Sequence, residues 1–453
     1  MADPEEQRDG ESREDRRRRR KARKTALPVL PPVGRLDAAA LLGDIDAWNL
    51  RIDGDWLRFD ARLGDHPRGY MCALSGGDII ADAPGPLLAV LGIGGPRAAG
   101  FNAGPSPFAQ NVLAPADHIG AIGCEGTALA ARTPGLQRIP HRPREALCAE
   151  TLLGWRALAR RGLPLILTRV ETEAAASVAA LGEGIAFANF QIALDNLCDA
   201  AASLGRRAQV LAVTLAHGVE DLGTDPAAIA AGFRRLMARI EGAMTARGLV
   251  PPTFLATAET GTARIASHPA VRAFHDLALH PGPHRLILPA PAYAFAQDRN
   301  GRPTEDGRLD MARMDAHALT ALEGGGDWFC PTALLAEADG ARIRVTFRAM
   351  EPLVIDPDPP LPAGPSAGFR LNDPGVAILS AELAADDPRS VILTCDRPPA
   401  SGAELCLACD LPTTDDRPPN RSALRDLWTA PGATGPLHRW ALPAALPIRP
   451  GAA

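Results

Sequence analysis

The most polar strand end in the sequence reads His217-Gly218-Val219-Glu220-Asp221 and follows the apolar run AQVLAVTLA. A histidine and two carboxylates at such a position can bind a metal ion or act as a general acid and base. They can equally hold a loop together by hydrogen bonds. The residue types do not separate these roles, so His217, Gly218, Glu220 and Asp221 are candidate site residues.

Two further strand ends carry residues that suit a ligand site. The apolar run LLAVLGIG leads into Gly95, Arg97 and, in the following loop, Asn102. Arginine and asparagine side chains are suited to binding hydroxyl and carboxylate groups. The third strand end reads RVET at residues 169–172. These ends are candidate positions for binding or catalysis.

The cysteines offer at most half of a metal site. Eight are scattered along the chain, and only Cys406 and Cys409 have a Cys-x-x-Cys spacing. Neither a second such pair nor a pair of histidines follows them. Alternation along a strand predicts the two side chains on opposite faces. We therefore expect buried free thiols, without a disulfide framework, a metal or a cofactor.

Alternating strands and helices between residues 84 and 337 must position the candidate strand ends. Buried apolar runs predict parallel strands, and helical patterns cover 145–161, 185–204 and 226–247. Repeated strand–helix–strand units predict a parallel sheet with helices on both faces. The ligand site of such a sheet lies at the carboxyl ends of its strands.

The two ends of the chain differ from this middle part. Short alternating runs divided by Pro, Gly and Asp predict an antiparallel β-domain at 338–453. Residues 35–83 are predicted to form a lead-in segment, either a short hairpin or a docking element. Residues 1–34 have no apolar periodicity and contain five consecutive arginines at 16–20, so a disordered basic tail is expected there.

Composition excludes several classes of protein. The 453 residues are 46% hydrophobic and 22% charged, which excludes wholesale disorder, a coiled coil and a collagen-like repeat. The net charge of -5 argues against a protein that coats nucleic acid. The apolar runs fall far short of the roughly 20 residues that cross a bilayer, and the N-terminal stretch does not resemble a signal peptide. We expect synthesis in the cytoplasm and no membrane partner.

The order of segments resembles the SGNH-hydrolase superfamily, and within it the carbohydrate-esterase branch that includes sialate O-acetylesterases of phage-tail type. The stretch EGIAFANFQIALDNLCDAAASLGRRAQVLAVTLAHGVED resembles the family's helix and its HGE-x-D block. The β-rich stretch is similar to the domain that often follows the hydrolase in phage-type members. The resemblance covers about 84–450. It implies a three-layer flavodoxin-like α/β domain at 84–337, followed by an antiparallel β-sandwich at 338–453.

Carried over residue by residue, the resemblance implies degenerate catalytic motifs. Where the family's first strand ends in GQSN, whose serine is the nucleophile, this chain reads GGPR and has Pro96. Where the family has DGxH, with an acid and the base histidine, this chain reads DGRL. That keeps Asp306 and places Leu309 at the histidine. The third block keeps His217 but has Glu220 one place later than the family's glutamate.

Serine hydrolysis needs a nucleophile and a base within hydrogen-bond reach, and both are missing from their motif positions. We therefore predict a catalytically degenerate esterase-like protein that binds a cell-surface polysaccharide or an acetylated glycan. The family context implies a receptor-binding spike or fibre of a phage-like particle. It also implies a homo-oligomer whose N-terminal segment contacts particle or capsid proteins.

Two alternatives stay open. An active carbohydrate O-acetylesterase would need a relocated triad, because Pro96 and Leu309 at the motif positions cannot act as nucleophile and base. The candidates for it are Ser106, Ser177, His268, His275, His280 and His284, and His317 lies eight residues beyond the place of the family's histidine. A purely structural particle component would leave the cleft without a ligand.

Overall fold

A four-stranded sheet comes first in the computed structural model, which describes residues 41–63, 68–175, 177–217, 225–259, 268–298, 301–358, 363–409 and 421–451. Its strands, paired in chain order, are β1 (Ala47–Asp53), β2 (Trp56–Ala61), β3 (Arg68–Ala73) and β4 (Ile80–Ala81). Every second residue of β2 is buried, as in a strand with one face on a core. Met71 and Ile80 join the apolar core of the following α/β region. The predicted lead-in segment thus contains a small sheet that packs on that region.

The α/β region follows. Its described strands are β5 (Leu87–Gly94), β6 (Phe101–Ala103), β7 (Val112–Pro115), β8 (Leu136–Arg138), β9 (His141–Pro143), β10 (Ile166–Thr172), β11 (Ala208–Ala216), β12 (Thr253–Ala256) and β13 (Leu286–Ile287). Its described α-helices are α1 (Arg144–Leu158), α2 (Val178–Leu181), α3 (Ile185–Ser203), α4 (Pro226–Thr245), α5 (His268–Leu279) and α6 (Glu305–Glu323). The helices predicted at 145–161, 185–204 and 226–247 are confirmed as α1, α3 and α4. Sequence patterns did not predict α5 and α6.

Seven of the described strands form one sheet in the order β13-β12-β11-β5-β10-β7-β8. Neighbouring strands are parallel, except that β7 and β8 are antiparallel. β7 and β8 extend one edge. Without them, β5, β10, β11, β12 and β13 have the order 2-1-3-4-5 that flavodoxin-like sheets show. The prediction of a parallel sheet is therefore confirmed.

Helices cover both faces of this sheet. Successive side chains of a strand point to opposite faces. Leu91 and Ile93 of β5 accordingly belong to the core that contains α3, α4 and α5. Val90 belongs to a second core with Ala146 and Leu153 of α1. The carboxyl ends of the central strands are thus held between two helical layers.

Gly154 lies in the middle of α1, where glycine is the costliest ordinary residue. A Cβ built at this position has no other heavy atom within 4 Å. We expect Gly154→Ala to raise the free energy of unfolding by about 0.5–1 kcal/mol, because alanine restricts the unfolded chain more. Urea denaturation measures the change. Gly92→Ala in β5 is the contrasting variant, because a Cβ there would lie 2.5 Å from Glu145 Oε1, and it should destabilise.

The remaining strands form a β-rich region. In chain order they are β14 (Thr332–Asp339), β15 (Arg342–Arg348), β16 (Leu353–Ile355), β17 (Phe369–Leu371), β18 (Ile378–Leu383), β19 (Ser390–Cys395), β20 (Glu404–Leu407), β21 (Leu424–Pro431), β22 (Pro436–Trp440) and β23 (Ala444–Pro450). Two sheets of described strands have the orders β17-β20-β23-β14-β15-β19-β18 and β16-β21-β22. Both contribute to one apolar cluster. The pairing is antiparallel with one correction to the prediction: β14 and β23 are parallel.

The two cysteines of the Cys-x-x-Cys pair pack in the same apolar cluster, so the prediction that they lie on opposite faces is wrong. Cys406 lies on β20, whereas Cys409 lies beyond its end. Ala408 between them has a φ of 47°, in the left-handed region, which ends the alternation of the strand. Both thiols therefore pack in one small apolar cluster with Val271 of α5.

The chain from Trp48 onward forms one compact unit, and the described residues before it belong to another. Within the described ranges, none of the helices has the length and apolar character needed to cross a bilayer. Tyr293 links the α/β and β-rich regions, since its hydroxyl donates to the Ala441 carbonyl at 2.6 Å. The buried ring and this bond hold the β-rich region beside α6.

Candidate functional site

The carboxyl end of β5 leads directly into a 3₁₀ helix, Pro96–Ala99. The Gly95 N–H donates to the carbonyl of Ala216 on β11 at 2.9 Å, which ties this turn to the neighbouring strand. Gly94 allows the close approach, because a Cβ there would collide with the same carbonyl. The position that the resemblance gives to a nucleophile is therefore the first residue of a helix, and Pro96 has no hydroxyl.

A small cavity of about 60 Å³ lies beside this turn. Such a volume holds only a few water-sized groups. Its charged lining side chains come from four separate parts of the chain. They are Arg97 of the 3₁₀ helix, Arg144 and Glu145 of α1, Glu259 beyond β12, and Arg308 of α6. Only the fold brings these charges together.

Arg97 and Glu259 form an ion pair in the cavity wall. The Arg97 Nη2 atom lies 3.1 Å from Glu259 Oε1, and its Nη1 atom lies 3.5 Å from Glu259 Oε2. Their side chains are only 17% and 11% exposed. A guanidinium held by a carboxylate in this two-pronged way keeps a fixed orientation. Arg97, predicted as a binding residue, therefore lines the cavity as a rigid donor group.

Glu145 places a buried carboxyl group at the cavity, with 2% of the residue exposed. The Thr214 hydroxyl donates to its Oε1 atom, whereas its Oε2 atom has no hydrogen-bond partner among the described residues. Burial raises the pKa of Glu145, and the Thr214 hydrogen bond opposes that rise. A buried polar atom without a partner costs free energy, which a ligand that bonds to it would recover.

Arg308 and Met311 line the cavity from α6, whereas Leu309 does not. The Arg308 Nη1 atom donates to Asn102 Oδ1 at 2.6 Å, and its Nη2 atom donates to the Pro303 carbonyl at 2.8 Å. Leu309 instead packs with the apolar side chains between α1 and α6. Asp306 is exposed in the first turn of α6. The helix thus turns the position of the family's base histidine away from the cavity.

The other predicted binding residues take supporting places. The Asn102 amide nitrogen donates to the Glu305 carbonyl at 3.0 Å, and its oxygen accepts from α6. His217 is 1% exposed, and its Nε2 atom lies 3.4 Å from the Ala175 carbonyl. Neither side chain lines the cavity. Three predicted residues lie outside the described residues: Gly218, Glu220 and Asp221.

The carboxyl end of β10 holds a buried charge cluster. The Arg169 Nε atom donates to Glu171 Oε1 at 2.6 Å, and its Nη1 atom lies 3.2 Å from each carboxylate oxygen of Asp117. One guanidinium can balance only one of two carboxylates. Burial raises the pKa of Glu171 to about 7, although Arg169 opposes the rise. None of these side chains lines the cavity.

The serines considered for a relocated triad make structural hydrogen bonds. The Ser106 hydroxyl accepts from the Phe108 N–H at 3.0 Å. The Ser177 hydroxyl accepts from the Ala180 N–H at 3.1 Å and caps α2. In the part of the chain that the structure describes, neither hydroxyl is hydrogen-bonded to a histidine ring. Neither serine therefore has a histidine among the described residues as its base, and Ser106 hydrogen-bonds the Glu150 carboxyl instead.

Three histidines, His275, His284 and His317, make contacts away from the cavity. His275 of α5 has its Nε2 atom 2.8 Å from the Ala333 carbonyl. His284 has its Nδ1 atom 3.0 Å from the Glu241 carboxylate. His317 contacts three tryptophan rings, and burial lowers its pKa to about 4. None of these three rings lines the cavity.

Sequence patterns did not identify Glu145, Glu259 or Arg308 as site residues. Glu145 lies on a predicted helix, where polar residues are ordinarily solvated. Arg308 lies on α6, which the sequence patterns do not predict, and Glu259 follows β12, whose end was not among the three strand ends considered. One signal was present. Gly92 interrupts an otherwise apolar buried strand, and such a glycine often marks a close approach. Here it makes room for Glu145, since a Cβ would lie 2.5 Å from the carboxylate oxygen.

The cavity offers guanidinium donors and carboxyl acceptors in a mostly buried setting. This combination can bind a hydroxyl, carbonyl or acyl group by hydrogen bonds. Among the described ranges, no three His, Cys, Asp or Glu side chains are arranged to hold a metal ion. The described side chains that line the cavity are therefore suited to binding such a group.

No family model matches the sequence, and no curated protein matches it either. Among solved structures, a carbohydrate acetylesterase from Xanthomonas citri is similar with a TM-score of 0.49 and 14% identity, over 84% of this chain and 85% of that chain. The N-terminal part of a bacterial S-layer protein is similar with a TM-score of 0.18 and 13% identity, over 33% and 30% of the two chains. Both TM-scores are too low to assign a fold family or an activity to this chain.

Proposed function

We propose that this chain is a carbohydrate-binding protein on an SGNH-hydrolase-like framework that no longer hydrolyses esters. The strand order of β5, β10, β11, β12 and β13 supports the framework, since it is the flavodoxin-like order that the resemblance implies. The β-rich region that follows supports the two-part organisation. The proposed site is the cavity at the carboxyl ends of these strands.

The observation that carries the proposal is the pair of replacements at the nucleophile and base positions. Pro96 begins a helix and has no hydroxyl. Leu309 packs between α1 and α6, whereas Arg308 occupies the side of the helix that lines the cavity. Acyl transfer to serine needs a hydroxyl and a base within about 3 Å of each other. A nucleophile at position 96 and a base at position 309 would both have to be restored before this site could hydrolyse an ester.

The charged side chains that line the cavity support binding of a ligand there. Arg97 and Glu259 present an oriented donor and acceptor, and Glu145 adds a carboxyl oxygen without a partner. Such groups suit the hydroxyl and acetyl substituents of a sugar. The cavity of about 60 Å³ fits one such substituent rather than a whole sugar ring.

The biological setting that we propose follows the resemblance. It is a receptor-binding part of a phage-like particle, assembled as a homo-oligomer and anchored through its N-terminal segment. The basic run at 16–20 is suited to an acidic partner surface. Light scattering on the purified protein reports whether the chain assembles as this setting requires.

An esterase assay beside a glycan-binding array tests the function on one preparation. We expect no turnover of an aryl acetate or of acetylated sugars above buffer, together with selective retention of one glycan class. Glu145→Gln should weaken that retention about tenfold, the equivalent of about 1.4 kcal/mol. The matched control is Glu382→Gln, which makes the same change on an exposed strand position.

Two results would overturn the proposal. Turnover that a serine-directed phosphonate inhibits would mean that a triad has formed from other residues. If neither the wild type nor Glu145→Gln retains any glycan on the array, a purely structural particle component would be favoured.

A further inference from the structure

A second surface lies away from the carboxyl edge, in an open groove of about 1310 Å³. Its walls come from β3 and β4, from the C-terminal half of α1 and from α6, and we call it the α1 groove. Its charged and aromatic wall includes Arg68, Tyr70, Trp155, Arg160, Arg161 and Arg313. It is separate from the cavity, because α6 presents Leu309 to the groove and Arg308 to the cavity.

The rim of the α1 groove carries Arg68, Arg160, Arg161 and Arg313, which we call the rim arginines. Arg68, Arg160 and Arg161 are exposed, and within the described residues their side chains take part in no hydrogen bond or ion pair. Arg313 has one acidic neighbour, Asp310, at 3.4 Å on its own helix. Guanidinium groups in this state are free to bind carboxylate or other anionic groups in two-pronged fashion.

The two acidic residues in the wall are already paired with arginines that do not line the groove. Asp82 pairs with Arg58, and it also lies 3.5 Å from Arg51. Glu150 lies 3.4 Å from Arg142. Their charges therefore do not cancel those of the rim arginines.

Arg160 occupies a backbone position that ordinarily belongs to glycine. After α1 ends at Leu158, the Arg161 N–H donates to the Arg156 carbonyl at 2.8 Å, and the Arg160 N–H donates to the Ala157 carbonyl at 3.0 Å. These two bonds form a Schellman motif, in which Arg160 has a φ of 53°. A long side chain in the left-handed region is strained, so its presence at the groove rim points to a use for the side chain.

The middle of the groove is open and partly apolar. Gly154 leaves its depth unfilled, since a Cβ there meets no other heavy atom within 4 Å. The adjacent Trp155 ring is held by His317, with ring centroids 4.5 Å apart. Leu158 at the rim is 85% exposed. A fixed aromatic face beside free cations suits a ligand that has both apolar ring faces and negative charges.

We infer that the α1 groove binds an acidic oligosaccharide, with the rim arginines on its carboxylates and Trp155 against a ring face. A nucleic acid is the alternative polyanion, and titration with single-stranded DNA distinguishes it from the acidic oligosaccharide.

Calorimetric titration of the full chain with oligogalacturonate tests the inference. Binding is expected for the free acid, and the fully methyl-esterified oligomer, which has the same rings without charge, should bind at least tenfold more weakly. Arg160→Gly with Arg161→Ala should weaken binding of the acid at least tenfold. Gly154→Leu, which fills the groove without removing a charge, should do the same.

Two comparisons show whether a loss of oligogalacturonate binding comes from the α1 groove, and not from loss of the fold or from the cavity beside β5. Arg160→Gly relieves the strained φ, so its urea midpoint should equal or exceed that of the wild type while binding weakens. Glu145→Gln should leave oligogalacturonate binding unchanged. Equal affinity for the acid and its ester, unchanged affinity in the arginine variant, or tighter binding of single-stranded DNA than of the acid would each overturn the inference.

Discussion

Replacing Asp315 with alanine is expected to lower the free energy of unfolding by about 3–5 kcal/mol. The Nε and Nη2 atoms of Arg144 each donate to one oxygen of Asp315 at 2.6 Å, which joins α1 to α6. The side chains are 9% and 0% exposed, so the alanine variant leaves a guanidinium charge in the interior without a counter-charge. Urea unfolding followed by tryptophan fluorescence measures the loss.

Two controls show whether burial causes this effect. Asp276→Ala removes the partner of Arg234 in a pair whose side chains are 30% and 44% exposed, and it should cost at most about 1 kcal/mol. Arg144→Met combined with Asp315→Leu removes both charges and should be less destabilising than Asp315→Ala. If Asp315→Ala and Asp276→Ala lower the free energy of unfolding by similar amounts, burial of the Arg144–Asp315 pair does not increase the cost of breaking it.

Glu171 should make the stability of the protein fall as the pH rises from about 4.5 to 7. The pKa of Glu171 is about 7 in the folded protein, and its ordinary value is 4.5. In this interval the unfolded chain releases the proton first, so rising pH favours unfolding. The difference corresponds to about 3 kcal/mol, fully expressed above pH 7. Relative to Glu171→Gln, the wild type should therefore lose about that much between pH 4.5 and 8.

The comparison with Glu171→Gln isolates the charge cluster of Glu171, because groups outside this cluster titrate in the same way in the two proteins. Urea midpoints at pH 4.5, 6, 7 and 8 give the two curves. Glu382→Gln, at an exposed strand position, should follow the wild type throughout. Parallel curves for wild type and Glu171→Gln would show that Asp117 and Arg169, which face Glu171 from the loop after β7 and from β10, leave its ionisation unchanged on folding.

Much of the sheet could be predicted from the sequence, because buried parallel strands are continuous apolar runs. β5 and β11 are of this kind, and the glycines that follow them mark their ends. α6 could not be predicted in the same way. Buried polar residues such as Asp310 and Asp315 lie among its apolar positions, so its sequence lacks a clean apolar stripe. Only their partners in the fold explain their burial.

The candidate site was predictable in place but not in composition. The carboxyl edge follows from the strand–helix alternation, and Arg97 at the end of β5 does line the cavity. Glu145, Glu259 and Arg308 reach the same cavity from elements far apart in the sequence. No local pattern distinguishes them from solvated residues. Asn102 is a residue whose type suggested binding, yet the fold uses it to hold α6 in place.

The position of β23 determines when the β-rich region can complete its fold. β23 lies between β20 and β14, in the interior of its sheet, although it spans residues 444–450. Until a ribosome has released that segment, β14 is an edge strand with unpaired backbone groups, and β20 has no bridge to the rest of the sheet. An open edge of this kind can pair with another nascent chain. Pairing of β23 with β20 and β14 closes this edge, and it therefore protects the newly made protein from misassembly.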